Sequence, residues 1–489
     1  MDNYIIMQYF EWFLPADQKH WDRLKEDAGN LAALGVSGIW LPPCSKGTSS
    51  SDVGYGMYDL YDLGEFDQKG TIPTKYGDKA SLKAAVDALH KADLRVYADV
   101  VLNHKAAADE TEEITVIEVD ELNRDRDVSV PFTIEAWTKF TFPGRKGKYS
   151  AFTWGWQHFT ATDYDQRTGK TSIFRIVGEN KSFSENVDQE FGNYDYLMFA
   201  DIDYHHPDVV NETIAWGKWI CDELSLDGMR LDAVKHINED FIGLFVKAMR
   251  DYVKRPFFTV GEYWKDDTEQ LRDYLSNEDF CLTLFDVPLH YNFYQAGIQG
   301  KDFDLRTIYD GSLVKSNPMN VVTFVDNHDS QRHQALESYV AGWFKIPAYA
   351  LILLRDDGYP CLFYGDYYGI GGDDGIPGRK AELDPLLEAR KKYAYGEQVD
   401  TFDNPNVIAW QRMGDNDHPG SGIAALISNN EDGWKDLDFG KKMAGTVWKD
   451  CTGHITDPVA LSDEGKGTFY VKGCSVSVWI CSAEEMPSA

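Results

Sequence analysis

The stretch Leu94-Arg95-Val96-Tyr97-Ala98-Asp99-Val100-Val101-Leu102-Asn103-His104 decides the reading of the fold. It is an apolar run that stops at two polar residues, Asn103 and His104. Just upstream, Leu82, Val86 and Leu89 keep helical spacing. The same pairing of a β-like run with a helical pattern recurs outward in both directions. The other runs are Tyr4–Phe10, Gly38–Leu41, Gly228–Val234, Phe257–Gly261, Leu282–Val287, Asn320–Val325 and Pro360–Tyr364. They are rich in Val, Ile, Leu, Phe and Tyr, as strands buried on both faces are. Leu24, Leu31 and Leu34 mark an early helix, with Gly35 as its stop. Eight alternating units predict an α/β fold built on a (β/α)8 TIM barrel.

Two features interrupt that rhythm. Well over a hundred residues separate the third run from the fourth, far more than a crossover helix needs. The third helix is expected at Asp208–Leu224, and the remainder is expected to be an inserted, irregular, partly β subdomain with turns at Pro143-Gly144 and Thr168-Gly169. After about Tyr395 the pattern changes to short antiparallel strands: Val407–Trp410, Gly422–Ser428, Thr446–Trp448 and Thr468–Trp479, with turns at Asp432-Gly433 and Glu464-Gly465. The expected organisation is a barrel over residues 1–104 and 207–395, an insert over 105–206, a C-terminal antiparallel β-sandwich over 396–482, and a disordered tail over 483–489.

Composition narrows the function. The chain carries 80 acidic and 48 basic side chains, a net charge of −32, so it lacks the basic face that nucleic acid or an anionic membrane would require. Its 43% hydrophobic and 14% aromatic content is too apolar for disorder. The N-terminus, Met1-Asp2-Asn3-Tyr4-Ile5-Ile6, has no basic n-region or cleavage site, and the seven cysteines form no C-x-x-C. Together these predict a cytoplasmic protein with buried free thiols, and a monomer is expected. Asn180-Lys181-Ser182 and Asn211-Glu212-Thr213 fit the glycosylation pattern, a tripeptide that arises often by chance.

In such a barrel the chemistry lies at the C-terminal ends of the strands. The third run ends at Asn103-His104. The fourth holds Arg230-Leu231-Asp232-Ala233-Val234-Lys235-His236, the fifth ends Glu262-Tyr263-Trp264, and the seventh ends Asp326-Asn327-His328-Asp329. A single Asp after a strand is usually a helix cap. Four polar strand ends on one face are harder to explain so, because burying unpaired charge is expensive. Arg230 precedes Asp232 by two residues and shares its face on a strand, which predicts a lowered Asp232 pKa. Glu262 has no basic sequence neighbour and precedes two aromatics, which predicts a raised one.

This set resembles the four sequence regions of glycoside hydrolase family 13, the α-amylase family. Met7-Gln8-Tyr9-Phe10-Glu11-Trp12, Val53-Gly54-Tyr55-Gly56, Asn193-Tyr194-Asp195-Tyr196-Leu197-Met198 and Ala200-Asp201-Ile202-Asp203 are similar to the bacterial liquefying-type enzymes and their intracellular fungal relatives, over about Met7 to Trp479. The resemblance implies that Asp232 is the nucleophile, Glu262 the acid/base and Asp329 the transition-state stabiliser of a retaining glycosidase. It also implies that Tyr55, His104, Arg230 and His328 surround the sugar at the cleavage point, with Lys235, His236 and Trp264 on the leaving-group side. It implies one Ca2+, held by Asn103, Asp195, Asp201 and the His236 carbonyl, all oxygen donors as a hard cation prefers. Ser184 and His205 stand where some relatives have carboxylates of a further metal cluster, and the His205-His206 pair lacks a spaced third zinc ligand.

The implied reaction is endo-hydrolysis of α-1,4-glucosidic bonds in starch, glycogen and maltodextrins. A 4-α-glucanotransferase acting on malto-oligosaccharides or α-glucan primers is the alternative, since a sugar hydroxyl can replace water as acceptor. A non-catalytic scaffold is disfavoured because all three carboxylates are present. Soluble glucans are expected rather than raw granules, as no appended starch-binding module follows.

Overall fold

The computed structural model describes residues 3–481, so the expected tail lies outside the described residues. Eight parallel strands close into a barrel: β1 (Ile6–Gln8), β2 (Gly38–Trp40), β3 (Arg95–Val100), β4 (Gly228–Leu231), β5 (Phe258–Gly261), β6 (Thr283–Phe285), β7 (Val321–Phe324) and β8 (Tyr359–Phe363). Seven fall inside the expected apolar runs, and β8 begins one residue before its run, at Tyr359. Strands β2, β4, β7 and β8 are buried along nearly their whole length, which is why no polar alternation marks them in the sequence.

Helices pack outside, placed by the same periodicity. In His20–Leu34, Trp21, Leu24, Ala28 and Leu31 form the buried stripe. Gly35 closes that helix at φ 91°, a left-handed position that glycine adopts without a Cβ clash. The third helix is Pro207–Leu224, with Pro at its first turn and the His206 ring accepting from the Asp208 N–H.

Between β3 and that helix lies a six-stranded antiparallel sheet, more regular than the sequence indicates. Its strands include Glu110–Glu118, Phe132–Lys139, Phe159–Asp165 and Lys170–Ile176. The short strand His104–Lys105 follows β3 directly and pairs with Ala200–Ile202, so His104 faces Asp201 across the seam.

The C-terminal region is built of two antiparallel sheets, of six and two strands, packed over Leu426, Leu437, Trp448, Phe469 and Trp479. Two expectations need correction. Thr468–Trp479 is not one strand but two, Lys466–Val471 and Ser475–Cys481, because the chain turns at Cys474 with φ 51°. Asp432-Gly433 is not a turn; Gly433 opens the strand Gly433–Asp438. Cys44, Cys221 and Cys361 are buried free thiols. No described helix is long and apolar enough to cross a membrane.

Candidate active site

The ends of barrel strands β2, β3, β4 and β5 converge on one guanidinium. Arg230, on β4, lies in register with Asp99 on β3 and is fully buried. Its Nη1 donates to Asp99 Oδ1 at 2.8 Å and to Asp232 Oδ1 at 2.5 Å. Its Nη2 lies 2.7 Å from Glu262 Oε2. Asp99 is itself fixed by Trp40 Nε1 at the end of β2 and by the Tyr55 hydroxyl, at 2.9 and 2.8 Å. Asp232 and Glu262 are the first residues past β4 and β5, so both project from the strand ends.

The turn after Asp232 is strained. Ala233 takes φ 49°, a left-handed conformation unfavourable for a residue with a Cβ, and its N–H donates to Glu262 Oε2 at 3.1 Å. That hydrogen bond links the turn after Asp232 to Glu262.

Burial dominates the proton affinities. Asp232 is pushed up to about 6 by burial, with the Arg230 charge pulling it back only in part. The expected lowering is therefore corrected: in a closed pocket the desolvation of the carboxylate outweighs its neighbour's charge. Glu262 is also raised, by burial and by Asp232, although Arg230 opposes it. Asp329 is raised well above the usual range by burial and by Glu262. One guanidinium among four carboxylates cannot neutralise all of them, so the cluster retains protons. His328 is held neutral, its pKa far below normal through burial and Arg230.

The supporting groups come from neighbouring loops. Gln8 Nε2, at the end of β1, is 2.9 Å from His328 Nδ1, and His328 Nε2 lies 3.3 Å from Asp329 Oδ2. Tyr55 stacks on His328, ring centroids 5.0 Å apart, and on Trp12 at 6.0 Å. His104 uses its Nε2 on the Tyr55 carbonyl at 2.8 Å. Lys235 Nζ donates to the Trp264 carbonyl at 3.2 Å and borders a cavity of about 450 Å³ with Glu190, Tyr263 and Lys265. The His236 imidazole engages the Tyr194 carbonyl at 2.7 Å.

Sequence reasoning missed Asp99, Trp40, Gln8 and Trp12. Asp99 carried a signal, a carboxylate inside an apolar strand. Below the loop after β7, Lys345 bridges Asp326 and Asp366 with all three side chains buried, and this ion cluster tethers the segment that ends in Asp329.

At the seam between insert and barrel, Asn103 Nδ2 lies 3.4 Å from Asp201 Oδ1, Asp201 also accepts from Thr160, and Asp195 accepts from the Ser184 N–H at 3.0 Å. Asp195 and Asp201 are fully buried against each other; both are raised by burial, Asp195 to about 6. Among the described residues neither forms an ion pair with Lys or Arg. Two adjacent buried carboxylates and an amide fit a hard cation by donor chemistry. No group of three or more His, Cys, Asp or Glu side chains among the described residues is arranged to hold a metal.

The alpha-amylase catalytic-domain family matches residues 28–418. A glucan 1,4-alpha-maltohexaosidase of Bacillus sp. (strain 707) is 50% identical over 479 residues, covering 98% of this chain and 92% of its own. The cytoplasmic alpha-amylase of Escherichia coli (strain K12) is 41% identical, with 98% and 99% covered. Among solved structures, the acarbose complex of an alpha-amylase from Geobacillus thermoleovorans matches with a TM-score of 0.65 at 20% identity, over 99% of both chains, a likeness of fold. The convergence of these carboxylates on a TM barrel and the extent of the matches have one reading: the chain belongs to the α-amylase family, glycoside hydrolase family 13, whose members hydrolyse α-1,4-glucan bonds.

Proposed function

We propose that this chain cleaves internal α-1,4-glucosidic bonds of soluble α-glucans with retention of configuration. The observation that carries the reading is the single guanidinium of Arg230 shared by Asp232 and Glu262. Two carboxyl groups tied to adjacent nitrogens of one fork support the close spacing of double displacement, about 5–5.5 Å, over the wider gap of an inverting enzyme. Asp232 would attack the anomeric carbon as Glu262 donates its proton to the departing glycosidic oxygen. Glu262 would then take a proton from water, which displaces Asp232 and frees the sugar.

Asp329 would accept hydrogen bonds from the sugar ring's hydroxyls as charge develops at the anomeric carbon. His328 Nε2, 3.3 Å from Asp329 Oδ2, would serve a hydroxyl of the same ring, with Tyr55, His104 and Arg230 around it. Lys235, Trp264 and His236 would line the leaving-group side.

At the seam, Asn103, Asp195, Asp201 and the His236 carbonyl would hold calcium. The ion would supply positive charge to two buried carboxylates and fasten the insert to the barrel. A cytoplasmic location is supported by the naming of the Escherichia coli relative.

Transfer to sugar acceptors is not favoured, since the relatives at 41% to 50% identity bear hydrolase names. Maltopentaose tests both points. The wild type should yield only shorter products and Glu262→Gln should lose at least about 100-fold in kcat. Products longer than the substrate would mean a transferase, and an unimpaired Glu262→Gln would remove Glu262 from the mechanism.

A further inference from the structure

We propose that the N-terminal mouth of the barrel, at the end opposite the catalytic carboxylates, binds a small phosphate monoester whose ring body rests on an aromatic floor. A cavity of about 640 Å³ opens there, within the range that small-molecule sites occupy. Its lining comes from residues at the start of β1, β2, β3, β5, β6 and β8, and from Asp227 just ahead of β4. The floor is aromatic. Tyr97, Phe258 and Tyr359 pack in a row, ring centroids 5.1 and 5.7 Å apart. Gly38 and Gly228 make room for the Tyr97 ring: a Cβ would lie 2.5 Å from it at Gly38 and 2.8 Å at Gly228. Tyr97 precedes Asp99 by two residues on β3, so this floor lies one layer of side chains below the Arg230 cluster.

The rim is cationic. Arg255 pairs with Asp227 at 2.5 Å, and Asp227 also accepts from the Val96 N–H at 2.9 Å and lies 3.0 Å from His90 Nε2, so that carboxylate is fully engaged. Arg95 lies over the Tyr4 ring at 4.7 Å and donates to its hydroxyl at 3.1 Å. Arg250 stands in the last turn of the helix Glu239–Val253. Among the described residues neither Arg95 nor Arg250 forms an ion pair with a carboxylate. Two guanidinium groups without carboxylate partners thus border one cavity, on a chain of net charge −32. Thr259, on the same lining, is 3% exposed, and its Oγ1 has no hydrogen-bond partner. This end of a TIM barrel ordinarily serves stability, which accounts for neither the cavity nor the unpaired arginines. They suit a ligand of two parts. A phosphate monoester carries nearly two negative charges and accepts from guanidinium nitrogens. Its ring, heteroaromatic or pyranose, would cover the half-buried Phe258 and Tyr359.

The test is isothermal titration calorimetry of the full chain with adenosine 5′-monophosphate and with glucose 6-phosphate, adenosine and glucose serving as the uncharged counterparts. At least one ester should bind with a Kd below about 1 mM, and at least about tenfold more tightly than its counterpart. Which ester binds distinguishes a nucleotide from a sugar phosphate. Arg250→Gln and Arg95→Gln should each weaken binding by about tenfold, and Arg250→Lys by less, because the charge remains and the fork is lost. Lys247→Gln, exposed on the same helix but outside the cavity, should leave the affinity unchanged. Should Arg250→Gln fail to fold, Arg95→Gln, at an exposed position, still decides. No binding of either ester at about 10 mM overturns the proposal. So does binding that the Arg95/Arg250 double variant leaves unchanged, which would place the ester elsewhere on the chain.

Discussion

Arg230 pairs with Asp99, Asp232 and Glu262 from a fully buried position, and its charge also bears on Asp329. The fork geometry matters as much as the charge, because only a guanidinium presents separate nitrogens to Asp232 and Glu262. Arg230→Lys keeps the charge and loses the fork. We expect kcat on maltopentaose to fall by about 100-fold or more, with a lower Tm; an Arg230→Lys enzyme near wild-type rate would show that the charge alone suffices. Asp232, Glu262 and Asp329 were legible in the sequence because each is a carboxylate following an apolar run, where burial of charge demands a reason. Asp99 was passed over, since it lies within its run and not at its end, although a carboxylate inside an apolar strand is itself a signal. The link of Glu262 to Arg230 was invisible for a different reason: the residues stand on neighbouring strands, and only barrel register brings them together.

Strand ends also show where one residue type serves two purposes. Asp286 follows β6 just as Asp232 follows β4, yet it caps the helix Val287–Gln299 and binds the N–H groups of Leu289, Leu313 and Val314. Sequence alone cannot separate such a cap from a catalytic group; what distinguishes Asp232 is its guanidinium partner. The barrel strands were legible because fully buried strands are unbroken apolar runs. The strand Gly433–Asp438 was not, because its Trp434, Asp436 and Asp438 face water and leave few apolar positions. Another element carries a pH-dependent weakness. Glu278 closes the helix Thr268–Asn277 at its C-terminal end, where the helix dipole disfavours a negative charge, and burial with the nearby Glu239 pushes its carboxyl up to about 7. A carboxyl raised on folding contributes its stability below its unfolded pKa and loses it as pH rises through the folded value. Glu278→Gln should therefore match the wild-type Tm near pH 4 and exceed it by several degrees at pH 8. Equal melting temperatures at pH 8 would refute this account of the helix end.

On the scale of the whole molecule, the seam between insert and barrel decides cohesion, because Asp195 and Asp201 lie buried side by side without a Lys or Arg partner among the described residues. An ion that binds only the folded state stabilises it by mass action. Exhaustive chelation should lower the Tm by several degrees and added calcium should restore it; an unchanged Tm would remove calcium from the seam. The net charge of −32 plays no part in drawing in the substrate, which is uncharged. It excludes competitors instead, and leaves recognition to ring faces and hydrogen bonds. The central claim is that Asp232 and Glu262 act as a double-displacement pair. Proton NMR of the anomeric signals during the first minutes of maltopentaose hydrolysis tests it most directly: the account predicts that the new reducing ends appear as the α-anomer before mutarotation, and appearance of the β-anomer first would contradict it.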